Sequence, residues 1–228
     1  MYSIDEYLEL FRELEKWSFK KYNDADSIKG IENKHPNYGI RKSACYFRLV
    51  RNNLTHYPNG KGKKQLILLT DEFKAQFEAF YNYLIGSIKQ ISVPWDKIKK
   101  VEKSDMVMPT VKMMRDLSYT YVPVMNGKKV WGVFSESAIF KIVSDGYLSL
   151  IDGNVSLYKI EKYISVYTKD GVYDFISNKA TIDEVCTMFS DAVQIGRRLD
   201  VIYVTTTGDE NGDLVGMVTV WDIANIHV

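Results

Sequence analysis

The chain has 228 residues, of which 46% are apolar and 26% charged, with a formal net charge of +1. That length and apolar content supply a packed core for one large domain or two small ones, and exclude a disordered or low-complexity chain. The near-neutral total conceals an asymmetry, +4 over residues 1–92 and −3 over residues 93–228, so the two halves are expected to do different work.

The opening MYSIDEYLEL places acids where a secretory signal needs cations. No apolar run reaches the roughly 20 residues of a membrane span. The expectation is a cytoplasmic chain without membrane association. Ser3 with Glu6 has the spacing of a capping box, and Ile4, Tyr7, Leu8, Phe11, Leu14 and Trp17 recur at helical intervals, which predicts a helix over 4–21. A polar loop containing Asn23, Asp24, Gly30 and Pro36 follows.

A second helix is predicted from about Tyr38 to His56, where Pro58 forces it to end. Ile40, Ala44, Phe47, Val50 and Leu54 share one arc of it. Arg41, Arg48, Asn52 and His56 gather opposite, with Arg51 at the boundary. From Asn33 to Thr70 there is no acid and there are eight Lys or Arg residues, including Lys61, Lys63 and Lys64, a run suited to a polyanion such as phosphate. The apolar segment QLILLT then leads to Thr70, a candidate N-cap with Asp71 and Glu72 in the first turn. Phe73, Phe77, Phe80, Leu84 and Ile88 make a third helical stripe to about Gln90. Residues 1–92 therefore read as an all-α helical bundle.

Arg51-Asn52-Asn53-Leu54-Thr55-His56 resembles the R-x4-6-H motif, commonly with Asn after Arg, of HEPN domains, many of which are metal-independent endoribonucleases acting as dimers. The resemblance implies His56 as acid/base, Arg51 as phosphate clamp and Asn52 as an orienting group. Arg48, Lys61, Lys63 and Lys64 would contact RNA phosphates. A 2′-hydroxyl can attack its neighbouring phosphate with a base and a cation and without a metal. Arg51 and His56 lie roughly 140° apart around a helix, so two copies in a homodimer would complete the site. The competing reading leaves His56 as a helix C-cap and the lysines as solvated surface.

Near Val93-Pro94 the pattern changes to short β-type runs, which sets the boundary of a second region at 97–228. A helix over 110–117 precedes the runs YTYVPVM and KVWGVF, joined by the hairpin signal Asn126-Gly127. Ser135 opens another helix to about Val143. The order recurs in a helix opened by Thr181, the runs DVIYVTTT and LVGMVT, and a final turn holding Asp222. This is an internal repeat of helix, strand, strand, helix with a period of roughly 85 residues. The first copy spans about 97–146 and the second about 178–228, and the stretch 147–177 between them is expected to be mostly extended.

The repeat resembles a pair of CBS domains, a Bateman module, whose G-φ-φ-S/T-x-x-D element holds an adenine nucleotide by hydroxyl and carboxylate. Gly216-Met217-Val218-Thr219-Val220-Trp221-Asp222 matches it. The resemblance implies Gly216, Thr219, Trp221 and Asp222 as nucleotide-binding residues. The first copy offers Ser135 but has Ala138 in place of the carboxylate, so one intact and one degraded site are expected. The fold class is α+β, a helical bundle followed by two small mixed sheets flanked by helices. The functional expectation is a module responding to AMP, ADP or ATP that controls a ribonuclease, with no required cofactor and no metal. The alternative is a non-enzymatic nucleotide sensor whose helical half binds RNA or a protein partner or antidote.

Overall fold

A computed structural model describes residues 3–25, 27–56, 68–151, 154–166, 172–224 and 226. The chain divides into two compact units. The first comprises Met1–Ser87 with Thr181–Thr187 and Asn225–Val228, and the second Ile88–Ala180 with Met188–Ala224.

In the first unit, α1 (Ile4–Tyr22), α2 (Lys29–Lys34), α3 (Tyr38–His56) and α4 (Asp71–Ile85) surround one apolar core. The stripes read from the sequence are the buried faces: Tyr7, Phe11 and Leu14 from α1, Ile40, Ala44 and Phe47 from α3, and Phe73, Phe77, Phe80 and Leu84 from α4. Their rings interlock edge to face, with Tyr7 and Phe47 centred 4.5 and 5.1 Å from Phe77. The one hydroxyl in this stack is satisfied, since Tyr7 donates to the Phe47 carbonyl at 2.7 Å. Thr70 caps α4 as expected by accepting the Phe73 amide at 3.1 Å. Ser3 makes no side-chain cap on α1. The helix α2 lies inside the expected loop, where Ile28 and Ile31 are fully buried.

Beyond the helical region the chain carries two copies of one β-α-β-β-α motif. The first runs β2 (Val101–Glu102), α5 (Val107–Leu117), β3 (Tyr121–Asn126), β4 (Lys129–Ser135) and α6 (Glu136–Ser144). The second runs β5 (Tyr173–Ser177), α8 (Ile182–Gln194), β6 (Val201–Thr205), β7 (Leu214–Thr219) and α9 (Val220–Ala224). The leading strand pairs parallel with the next strand in both copies, an element absent from the predicted order. The division between units falls within α8. Tyr121 faces Ser135 across β3–β4 as Val201 faces Thr219 across β6–β7. A register shift follows the fourth residue of the inner strand each time, at Val124/Met125 and Val204/Thr205. The two hairpins are thus structural repeats. Gly127 takes φ +64 in the predicted Asn-Gly turn.

The segment preceding each copy crosses to the other. β1 (Val93–Pro94) lies antiparallel to β7, with Pro94 opposite Gly216, and Ser165 bridges Gly132 of β4. Of the stretch expected to be extended, 147–177, β5 is extended at its end, but Leu148–Ile151, Leu157–Ile160 and α7 (Glu161–Ile164) are turns of helix. Leu157, Ile160 and Ile164 recur at helical intervals and are buried in the first copy's core, which decides the matter. Between the two hairpins, Met125, Val130 and Val133 meet Val201, Tyr203 and Leu214 in a shared core.

Candidate functional site

At the exit of β7 the Thr219 amide and hydroxyl both donate to Asp222 Oδ2, at 2.7 and 2.8 Å. The chain turns from strand into α9 at this point, so the hydroxyl and carboxylate stand together at the end of the sheet. Two donors fixed on one oxygen hold the carboxylate in a single orientation and leave Oδ1 outside those two bonds. Trp221 stands between them in sequence and is 79% exposed. At Gly216 a Cβ would lie 3.1 Å from the Val93 carbonyl, so the missing side chain admits the crossing segment. The counterpart Gly132 is tighter still, with Ile164 O at 2.6 Å from an added Cβ.

At the equivalent exit of β4, Ser135 accepts the Ala138 amide at 3.3 Å and shares a 2.8 Å hydrogen bond with the Ser137 hydroxyl. Ala138, buried, occupies the place of Asp222 and offers no acceptor. Thr120, Ser135, Glu136 and Ser137 of the first copy line a cavity there together with Arg198 and Asp200 of the second. Its volume is about 20 Å³, space for about one water molecule. Arg198 Nε lies 3.0 Å from Asp200 Oδ1 and 2.8 Å from Oδ2. The hydrogen bond to Asp200 raises the Arg198 pKa, and Glu136 adds to the effect. Burial pushes the neighbouring Tyr121 hydroxyl well up, with Asp200 and Asp222 adding to it.

The predicted polyanion face of α3 is altered by acids from outside the acid-free stretch. Glu32 takes Arg48 in a two-pronged pair, Nη2 to Oε2 at 3.0 Å and Nε to Oε1 shorter. Arg51 Nη2 lies 3.0 Å from Glu15 Oε1, its Nη1 donates to Asn52 Oδ1 at 3.2 Å, and its guanidinium sits 5.7 Å from the Phe11 ring centre. Both arginines therefore carry a carboxylate partner. Lys61, Lys63 and Lys64 lie outside the described residues, as does the side chain of His56, whose backbone ends α3.

Sequence reasoning passed over a buried polar cluster in the first unit. His35 and Asp183, 1% and 0% exposed, meet at 2.8 Å from Nε2 to Oδ1. Lys21 donates to Asp183 Oδ2. The Asn37 amide donates to His35 Nδ1 at 3.0 Å, which leaves Nε2 to carry the hydrogen toward Asp183. Asn37 in turn accepts the amides of Gly39 and Ile40, so the cluster also caps α3. The signal in the sequence was the N-cap Asn37 beside His35. Nothing local connects either with Asp183, 148 residues away. Burial raises the Asp183 carboxyl pKa, but the hydrogen bonds from His35 and Lys21 outweigh it, and the net direction is down.

Among the described residues no group of three or more His, Cys, Asp or Glu side chains is placed to hold a metal ion, and no helix is long and apolar enough to cross a membrane.

The family model for the CBS domain matches residues 169–227. No curated protein matches by sequence. Among solved structures, the fold is shared with CbpB, solved in complex with c-di-AMP, at 16% identity and a TM-score of 0.50 over 65% of this chain and 88% of that one. A CBS domain protein from Streptococcus pneumoniae TIGR4 aligns at 17% identity and TM-score 0.47 over 68% and 94% of the two chains. CBSX2, solved with AMP, aligns at 13% and 0.44 over 60% and 93%. The neighbours are CBS-domain proteins.

Proposed function

We propose that the repeat, whose second copy is a CBS domain over residues 169–227, binds an adenine nucleotide at the exit of β7 and thereby regulates the helical unit. The observation that carries this is the Thr219–Asp222 pair, a hydroxyl and an oriented carboxylate at the end of a strand, in the spacing of the family's ribose-binding element. A ribose diol presents two O–H donors and a carboxylate accepts both. CbpB, a structure of similar fold, was solved with c-di-AMP, which supports the same ligand class.

Thermal shift with AMP, ADP, ATP and c-di-AMP tests the reading. A ligand at 100 times its dissociation constant stabilises by about 2.7 kcal/mol. Asp222→Ala is expected to abolish that shift. No shift with any of the four, or an equal shift in Asp222→Ala, would overturn the proposal.

For the helical unit the reading is a partner-binding module rather than a ribonuclease. Arg48 and Arg51, the expected phosphate contacts, have guanidinium donors engaged by Glu32 and Glu15. Partner binding needs a surface, whereas cleavage needs Arg51 free to stabilise developing charge. Incubation of single-stranded RNA with wild type and His56→Ala is expected to show no difference. Cleavage by wild type that is lost in His56→Ala would restore the ribonuclease reading.

A further inference from the structure

We infer that α8 couples the ligand site to the helical unit: its first turn is latched by His35 and Lys21, and a ligand at the exit of β7 works that latch. This rests on the reading of the β7 site given above and names the element through which that site acts.

An acid stands where the packing of α8 has no use for one. Ile182, Val185, Phe189 and Ala192 form its apolar stripe and are buried, as helical spacing requires. Asp183, in the first turn beside that stripe, is 0% exposed as well. Burying an ionised carboxylate is costly unless it is paired, and its partners are His35 Nε2 and Lys21 Nζ from the bundle. An apolar residue there would stabilise the helix as well or better, because desolvating an ion pair costs about what the attraction returns. What the pair adds is position: its charge-assisted bonds hold the first turn of α8 in one place against α1 and the end of α2. Residues 181–187 belong to the first unit and 188–194 to the second, so both share one continuous helix.

The other end of α8 is tied to the ligand site. The Arg197 amide donates to Ala192 O at 2.8 Å and closes the last turn. Its guanidinium donates to Tyr173 O at 2.9 Å and Asp174 Oδ2 at 3.2 Å, fastening that end to β5. The link 195–200 then enters β6, whose first residue, Val201, faces Thr219. A helix of 13 residues is about 20 Å long and moves as a rod. Displacing Thr219 as a ligand engages it therefore shifts Val201 and, behind it, α8.

Release of Asp183 reaches the bundle through His35. With Nε2–H turned to Asp183, Nδ1 accepts the Asn37 amide, and Asn37 accepts the amides of Gly39 and Ile40 at the start of α3. Losing the carboxylate lets the imidazole turn, and the cap of α3 loosens with it. α3 carries Arg48 and Arg51, so the ligand controls the start of the helix that presents the bundle's charged face. The effect requires only that the ligand bind the latched and released arrangements unequally.

Isothermal titration of the full chain with AMP, ADP, ATP and c-di-AMP identifies the tightest binder, which is then titrated into three variants. Asp183→Asn is expected to change its affinity at least fivefold, the lower end of usual allosteric couplings, although Asp183 lies in the first unit and Thr219 in the second. Lys21→Met should change it in the same direction. Tyr7→Phe removes a buried hydrogen bond that α8 does not share, controls for lost stability, and should leave affinity within twofold. Amide exchange gives the reverse reading: saturating ligand should change the protection of Asn37, Gly39 and Ile40 in wild type and not in Asp183→Asn. Affinity of Asp183→Asn within twofold of wild type, or unchanged exchange at those three amides, would overturn this inference while the β7 reading stands. An equal change in Tyr7→Phe would also overturn it, since general destabilisation would then suffice. No binding of any of the four by wild type would remove both.

Discussion

Asp183→Ala probes the most deeply buried charge in the first unit. The substitution leaves the His35 Nε2 hydrogen, in a site 1% exposed, and the Lys21 ammonium facing a void where Asp183 was 0% exposed. Removing one partner of a buried ion pair costs about 3–5 kcal/mol. The Lys21 side chain is 33% exposed and recovers water, so the lower end of that range applies. At roughly 2–4 °C per kcal/mol for a chain of this length, the melting temperature should fall by about 6–12 °C. Circular dichroism at helical wavelengths, or scanning calorimetry, reads this directly. Asp183→Asn keeps a carbonyl acceptor for His35 while discarding the charge, and should lose about half as much. The pH dependence supplies a second readout. Because the Asp183 carboxyl pKa is depressed, its stabilisation is present above the ordinary carboxylate value of about 4 and is lost as pH falls through the lower folded value. Wild type should therefore lose stability in acid more steeply than Asp183→Asn. An Asp183→Ala protein melting within about 2 °C of wild type would refute the reasoning, since a buried pair cannot be broken at so small a cost.

Gly132→Ala forces a Cβ to 2.6 Å from a backbone carbonyl, whereas Gly216→Ala meets one at 3.1 Å. Gly132→Ala should cost about 1–3 kcal/mol in denaturant unfolding and Gly216→Ala clearly less; the reverse order would contradict the crossing-segment account. The Tyr203 hydroxyl is fully buried with no hydrogen-bond partner among the described residues, so Tyr203→Phe should be neutral or stabilising by up to about 2 kcal/mol. A loss would show that the hydroxyl has a partner. Burial pushes the Cys186 thiol up to about 11, Tyr83 opposing and Asp183 adding. Alkylation of native protein at pH 8 should accordingly modify Cys186 far more slowly than an unfolded control, followed by peptide mass analysis.

Much of the fold was legible because its causes are local. The stripes of α1, α3 and α4 follow from helical spacing, and their members are buried in the core or packed against it. Asn126-Gly127 specified a hairpin because few pairs accept positive φ at low cost, and Thr70 specified a helix start by satisfying an amide that would otherwise lack a partner. The repeat was visible for the same reason, since each copy rewrites the same local instructions. Thr219 and Asp222, three residues apart, could be paired from the chain alone.

Tertiary structure decided everything that depends on charges and backbones distant in sequence. A window free of acids from Asn33 to Thr70 suggested a bare cationic helix, yet Glu32 at its edge and Glu15 in α1 pair with Arg48 and Arg51 in space. Gly216 stood out as part of a ligand motif, but it is the crossing of Val93 there, and of Ile164 at Gly132, that explains why no side chain fits at either position. His35 with Asp183, and Ser135 with Asp200, are brought together by the fold across long stretches of chain. A residue's spacing along the chain determines which face of an element it occupies. The acid or cation it meets on that face is set by packing, and the chemistry of both candidate sites therefore rests on the fold as much as on the motif.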